Sequence, residues 1–360
     1  MNRKKAIRLL EAYFDDGNFL KDLSRRVAFQ TESQNPDKIL NLYEYLTKEM
    51  TPTLNAIGFD CKIYENPDIK FKGPFLFGSR HEGNGLPTVL IYGHGDVVRG
   101  EDNNWRKGLS PWNVVKEGDR LYGRGTADNK GQHTINFAAI KYILKARGNK
   151  LGFNIKILIE TGEENGSPGL REFCSQNKEI LKANVLISSD GPRLTKERPT
   201  IFMGSRGVFN FTMKVNLRKG GHHSGNWGGL LSNPGIILAH AISSLISSSG
   251  EIKVAGLKPK KIPEPIKNVI NKINIVQNDD GPIIDHNWGE KGLSIEEKVF
   301  AWNTLEVLSF KTGDPDNPMH AIPPEAIAHC HIRYVVPSNP KTFTKAIRNH
   351  LDKEGFEIVK

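Results

Sequence analysis

Cysteine is scarce in this chain: Cys61, Cys174 and Cys330 are the only three among 360 residues. They are odd in number, far apart and form no C-x-x-C, which excludes a disulfide framework and a thiolate zinc site. Any metal must then be held by histidine and carboxylates. No run approaches the roughly 18 consecutive apolar residues that span a bilayer. The opening MNRKKAIRLLEAYFDDGNFL lacks the unbroken apolar core of a signal peptide. Its acids interrupt a period-3.6 amphipathic pattern instead, so the expectation is a cytoplasmic protein that opens on a helix. Internal repeats and low-complexity tracts are also missing. A net charge of +10 raises nucleic acid as a partner, but the Lys and Arg are scattered and no nucleic-acid motif accompanies them, which argues against it.

What is present is a soluble globular composition, 38% hydrophobic and 25% charged, over a length that suggests two domains. From about residue 36 to 190 the pattern alternates. Helices are predicted over 36–58 and 129–146, and apolar strands over 88–91, 154–160 and 184–188. Such alternation implies an α/β sheet covered on both faces, with function at the carboxyl ends of its strands. At FMGSRGVFNFTMKVNLRKG the character changes. Gly204 and Gly207 make a hinge, and VFNFTMKVNL alternates with period two, as a half-buried antiparallel strand does. A helix over 234–246, a Lys/Pro-rich excursion over 253–285, strands near 305–310 and 326–335, a helix near 340–353 and a last strand FEIV follow. The reading is a first domain over 1–204 and a smaller α+β domain over 205–360.

The chemistry gathers at the strand ends. IYGHGDVV carries His94 and Asp96, LYGRGTADNKGQ carries Asp128 just before a helix, ILIETGEENGSPG carries Glu160, Glu163 and Glu164, and VLISSDGP ends at Asp190. Singly each has a bland explanation: a satisfied structural pair, a helix N-cap, solvated glutamates, an Asp-Gly turn. Jointly, one His and several carboxylates on glycine-flanked loops at one sheet edge are the inventory of a metal site for zinc, manganese or cobalt. A carboxylate can bridge two ions, and two ions about 3.5–4 Å apart can acidify a shared water and stabilise an oxyanion. Of two adjacent glutamates one can ligate while the other accepts the proton. Asp96 is better placed to orient His94 than to touch metal.

Together, GHGDVV, LYGRGTADNKG, ETGEENGS, SSDGP, GSRG and HHSGNWGG resemble the co-catalytic di-zinc metallopeptidase family that includes aminoacylase, glutamate carboxypeptidase, carnosine-type dipeptidases and succinyl-diaminopimelate desuccinylase. The resemblance runs in order from about residue 20 to the end. It implies an α/β zinc-peptidase catalytic domain with a central mixed sheet, plus a smaller α+β lid domain that often forms a homodimer. Carried over by motif, His94 and Asp190 bind one zinc, Glu164 the other, and Asp128 bridges them. Glu163 is the general base and Asp96 the partner of His94. His223, in HHSGNWGG, steadies the oxyanion in the other subunit's site. Arg333, in HCHIRYVVP, clamps a substrate carboxylate, a task suited to a guanidinium fork. Without the resemblance, His222 and His223 read as a polar loop and Arg333 as a surface residue. His320 stands where several relatives carry Asn.

One part of the pattern is not met. The resemblance implies a segment that returns to the catalytic domain after the lid and carries one more His ligand, whereas this sequence stops at FEIVK. The second ion is therefore expected to bind weakly. The function expected is hydrolysis of a peptide or N-acyl amide bond next to a free carboxylate, in a small peptide or N-acyl amino acid, dipeptidase-like from the DNKGQ and HHSGNWGG wording. The alternative is a truncated, inactive remnant that dimerises or binds metal weakly. A two-metal phosphoesterase would want a basic glycine loop near the metals, which this chain lacks.

Overall fold

The computed structural model describes residues 3–191, 199–202, 204–273, 275 and 283–360. They form two compact units, Met1–Gly191 and Pro192–Lys360. The first is built on a five-stranded mixed sheet of β1 (Asp60–Tyr64), β2 (Phe75–Arg80), β3 (Thr88–His94), β6 (Asn154–Glu160) and β7 (Val185–Ser188), in the order β1-β2-β6-β3-β7. A small hairpin, β4 (Val115–Glu117) with β5 (Arg120–Tyr122), lies outside it. β3 runs parallel to β6 and β7, and β2 antiparallel to β1 and β6.

The strand sequences explain this arrangement. NIKILIE is almost wholly buried, as a central strand is, with an isoleucine face and an opposite face on which Leu158 is the apolar residue. Ile155, Ile157 and Ile159 point to one side, where they meet Phe137, Ile140 and Leu144 of the helix Lys130–Ala146. Leu158 points to the other, where Phe75 and Phe173 stack with ring centroids 4.5 Å apart. Full burial of such side chains contributes about 1.5–3 kcal/mol each. The predicted helix over 36–58 forms as a 3-10 turn, Pro36–Lys38, then Ile39–Glu44, a π stretch Tyr45–Met50, and Thr51–Asn55.

The second unit is α+β, as the alternation in VFNFTMKVNL implies. β8 (Gly207–Asn216), β10 (Thr304–Thr312) and β12 (Glu325–Tyr334) pair antiparallel in the order β10-β12-β8, and β9 (His222–His223) pairs with β11 (Ala321–Ile322). Helices Pro234–Leu245 and Phe343–Lys353 cover one face through Leu238, Ala241, Ile347 and Leu351. The expected last strand FEIV does not form. Phe356 and Val359 are the pair that packs into this core, and a spacing of three suits a turn rather than a period-two strand. Only Lys360 then pairs with the sheet, exchanging two 2.8 Å backbone hydrogen bonds with Lys214. In the Lys/Pro-rich excursion, Ala255–Leu257 is a 3-10 turn and Glu264–Ile270 a helix, while 274 and 276–282 lie outside the described residues. Among the described residues no helix is long and apolar enough to cross a membrane.

Candidate metal centre

His94 is the last residue of β3 and is fully buried. The turn after it is pinned from three sides. Gly95 donates to the Glu160 carbonyl at 2.8 Å, Thr31 Oγ1 donates to the Gly95 carbonyl at 2.7 Å, and Val97 donates to the Thr31 carbonyl at 2.9 Å. His94 Nδ1 lies 3.1 Å from the Asp96 carbonyl and 3.3 Å from its carboxylate. A donor role at Nδ1 leaves the Nε2 lone pair facing outward. Around Nε2 stand Asp128 Oδ1 at 2.8 Å, Asp190 Oδ1 at 3.7 Å and Glu163 Oε2 at 3.9 Å.

Each carboxylate arrives on its own element. Asp128 precedes the helix Lys130–Ala146, and the Asp128–Asn129 peptide bond is cis. Glu163 and Glu164 form the 3-10 turn Glu163–Asn165 just after β6. Asp190 lies two residues past the end of β7. The buried Asp96 carboxylate accepts the backbone N–H of Glu163 at 3.2 Å and of Glu164 at 3.1 Å. One aspartate therefore contacts both the imidazole and the glutamate turn.

The ligand atoms of His94, Asp128 and Asp190 lie within 4.8 Å of one another. Among the described residues, the ion pairs of Asp128, Glu163 and Asp190 are all with His94, and no Lys or Arg neutralises them. Burial disfavours a charged His94, but Asp128, Asp190 and Asp96 outweigh it and hold its pKa up to about 12. Burial followed by the neighbouring Asp128 charge pushes Glu164 up to about 7, and burial also raises Glu163. The His94 imidazole, 3.7 Å away, outweighs burial at Asp190 and keeps its carboxyl low. A ring of carboxylate oxygens around an imidazole nitrogen fits a divalent cation, with the hard oxygen and imidazole donors that zinc, manganese and cobalt accept.

Residues 90–359 match the Peptidase family M20/M25/M40. The chain belongs to that family. It is 28% identical over 285 residues to a Beta-Ala-His dipeptidase of Mus musculus, covering 74% of this chain and 55% of that protein. It is 27% identical over 239 residues to a cysteinylglycine-S-conjugate dipeptidase of Corynebacterium striatum, covering 66% of this chain and 51% of that one. The crystal structure of human carnosine dipeptidase 1 shares the fold, with a TM-score of 0.81 at 24% identity over 99% of this chain and 78% of that chain. This M20 chain thus spans about half the length of the curated relatives it matches.

The other two candidate residues of this M20 chain belong to the second unit. His223 is exposed on β9, where its Nδ1 accepts the Gly225 N–H at 3.1 Å. Arg333 is exposed near the end of β12, opposite Val208 and Thr304. Burial and the charge of Arg333 both push the neighbouring Arg206 guanidinium down. Sequence reasoning passed over three buried residues beside the metal cluster. Asn129 hydrogen-bonds to both the His94 and Asp190 segments. Lys130 Nζ donates to the carbonyls of Arg26 at 3.1 Å and Phe29 at 2.7 Å, and burial brings its pKa down to about 7. His133 sits 2.6 Å from the Tyr45 hydroxyl. The only signal for Asn129 and Lys130 was their place after Asp128 in DNKGQ, and His133 is the residue that follows that motif.

Proposed function

We propose that this M20 chain is a metal-dependent hydrolase that cleaves a peptide or N-acyl amide bond next to a free carboxylate, dipeptidase-like in its substrates. The observation that carries it is the ring of Asp128, Asp190 and Glu163 around His94 Nε2. His94 and Asp190 would hold one ion, Glu164 a second, and Asp128 both, with zinc the first choice and cobalt or manganese also suited. Divalent ions there acidify water and polarise a carbonyl.

The chain's own groups do the rest. Glu163, half-buried and with its carboxyl pKa raised, suits the proton acceptor for an attacking water and the donor to the leaving amine. Asp96 keeps the imidazole and the glutamate turn in register. Arg333 takes the free carboxylate, and His223 steadies the oxyanion from a second subunit. A homodimer through the second unit is part of the reading, supported by β10, an edge strand that exposes Val307, Leu308 and Phe310. A reducing, cytoplasmic location suits the three free cysteines.

The test is hydrolysis of a dipeptide panel, including β-Ala-His and Cys-Gly, by the full chain supplied with Zn²⁺ or Mn²⁺, beside a phosphate monoester. Chelator-sensitive dipeptide turnover supports the reading. Metal-loaded protein that cleaves no amide, or only the phosphate ester, overturns it.

A further inference from the structure

We propose that Asn129 is a positioning residue of the metal centre, its carboxamide replacing a strand peptide between β3 and β7 so that His94 and Asp190 present their ligand atoms to one point. This rests on the metal-centre reading above. The parallel pairing of β3 with β7 runs from Val89↔Val185 to Tyr92↔Ser188, and among the described residues it goes no further. Beyond it, the next backbone groups of the two segments meet the Asn129 side chain. The His94 N–H donates to Asn129 Oδ1 at 3.3 Å, and Asn129 Nδ2 donates to the Ser189 carbonyl at 2.7 Å. The carboxamide thus accepts from one strand and donates to the other, as a peptide group in the ladder would.

The same Nδ2 lies 3.3 Å from Asp190 Oδ1 and 2.6 Å from Gln132 Oε1. The hydrogen bond to Asp190 restrains the carboxylate whose Oδ1 lies 3.7 Å from His94 Nε2. Asn129 is fully buried, so no water can substitute for it cheaply. Room for the carboxamide comes from Gly93, where a Cβ would lie 2.9 Å from Asn129 Oδ1. Only an amide of this length supplies an acceptor and donors in those directions. Aspartate keeps the shape but offers no donor to Ser189 or Asp190.

The experiment compares Asn129→Asp, Asn129→Ala, Gly93→Ala and Asp128→Ala in the full chain. It reads zinc affinity by chelator competition, the visible spectrum of the cobalt-loaded protein, and the melting temperature of the metal-free protein. Both Asn129 variants are expected to weaken zinc by about 10–100-fold, the usual effect of losing a group that orients a ligand, and to shift the cobalt bands. A merely structural residue would lower the metal-free melting temperature and leave affinity and spectrum alone. Gly93→Ala, which displaces the same amide, carries the test if the Asn129 variants do not fold. Asp128→Ala separates the two readings. If it abolishes tight binding while Asn129→Asp and Gly93→Ala bind zinc as the parent does, this inference is overturned and the metal centre stands. If Asp128→Ala also binds as the parent does, the metal centre itself is wrong.

Discussion

Asp96 shows how much one side chain can organise. Its carboxylate holds the backbone of both Glu163 and Glu164 and also lies against His94 Nδ1, so the direction of the imidazole and the height of the glutamate turn are set together. The proposed roles of the neighbouring acids can be separated by isosteric change. Glu163→Gln keeps the turn and removes only a proton acceptor, so turnover should fall by about 10²–10⁴-fold while bound zinc is retained. Asp128→Ala removes the oxygen nearest His94 Nε2, so zinc should be lost along with turnover. Elemental analysis and a dipeptide assay on the same samples decide it, and equal metal loss in both would sink the assignment of Glu163 as base. The acids were legible in the sequence because each follows an apolar strand or opens a helix beside glycines. Asn129 was not, because a buried amide leaves no periodic mark and its partners, His94 and Ser189, are far away in sequence.

At the scale of elements, legibility followed periodicity. β3 announces itself by a continuous apolar run, β6 and β8 by period two, and the helix Lys130–Ala146 by period 3.6. The short segment FEIV carried an apparent alternation, yet its burial is decided by which residues reach the core, and those are Phe356 and Val359. Irregular connections are governed instead by single polar anchors. Glu82 is one: its carboxylate accepts the backbone N–H of Leu151 at 2.7 and 2.8 Å and of Gly152 at 2.7 Å, and Arg80 Nε lies 3.2 Å away, fixing the turn that leads into β6. Burial raises its pKa, but these N–H donors and Arg80 outweigh it, so the folded carboxyl sits below its ordinary 4.5. A depressed folded pKa contributes stability above the unfolded value and loses it as pH falls through the folded one. Glu82→Gln should therefore cost about 1–3 kcal/mol at neutral pH, with the difference from the parent shrinking once the pH drops below 4.5. Urea midpoints of the two proteins at neutral and acid pH test this, and a gap independent of pH would remove the charge from the explanation.

For the whole molecule, the decisive quantity is how many ions it holds, because the described ligands are unequally shared. His94, Asp128 and Asp190 supply three ligand atoms close together, enough for a tight site with water completing the shell. The second ion would have Glu164 and a share of Asp128. Two oxygens bind zinc far less well than three ligands including an imidazole. The expected outcome is one tightly bound zinc per chain after gel filtration, with a second taken up only in excess metal and turnover rising with that second uptake. Titration of metal-free protein with zinc, read by elemental analysis and dipeptide cleavage at each point, measures both steps. Two ions retained equally tightly would mean that a further ligand reaches the second site, and the same titration across a dilution series would show whether another copy of the chain brings it, since a ligand supplied in that way is lost as the dimer dissociates.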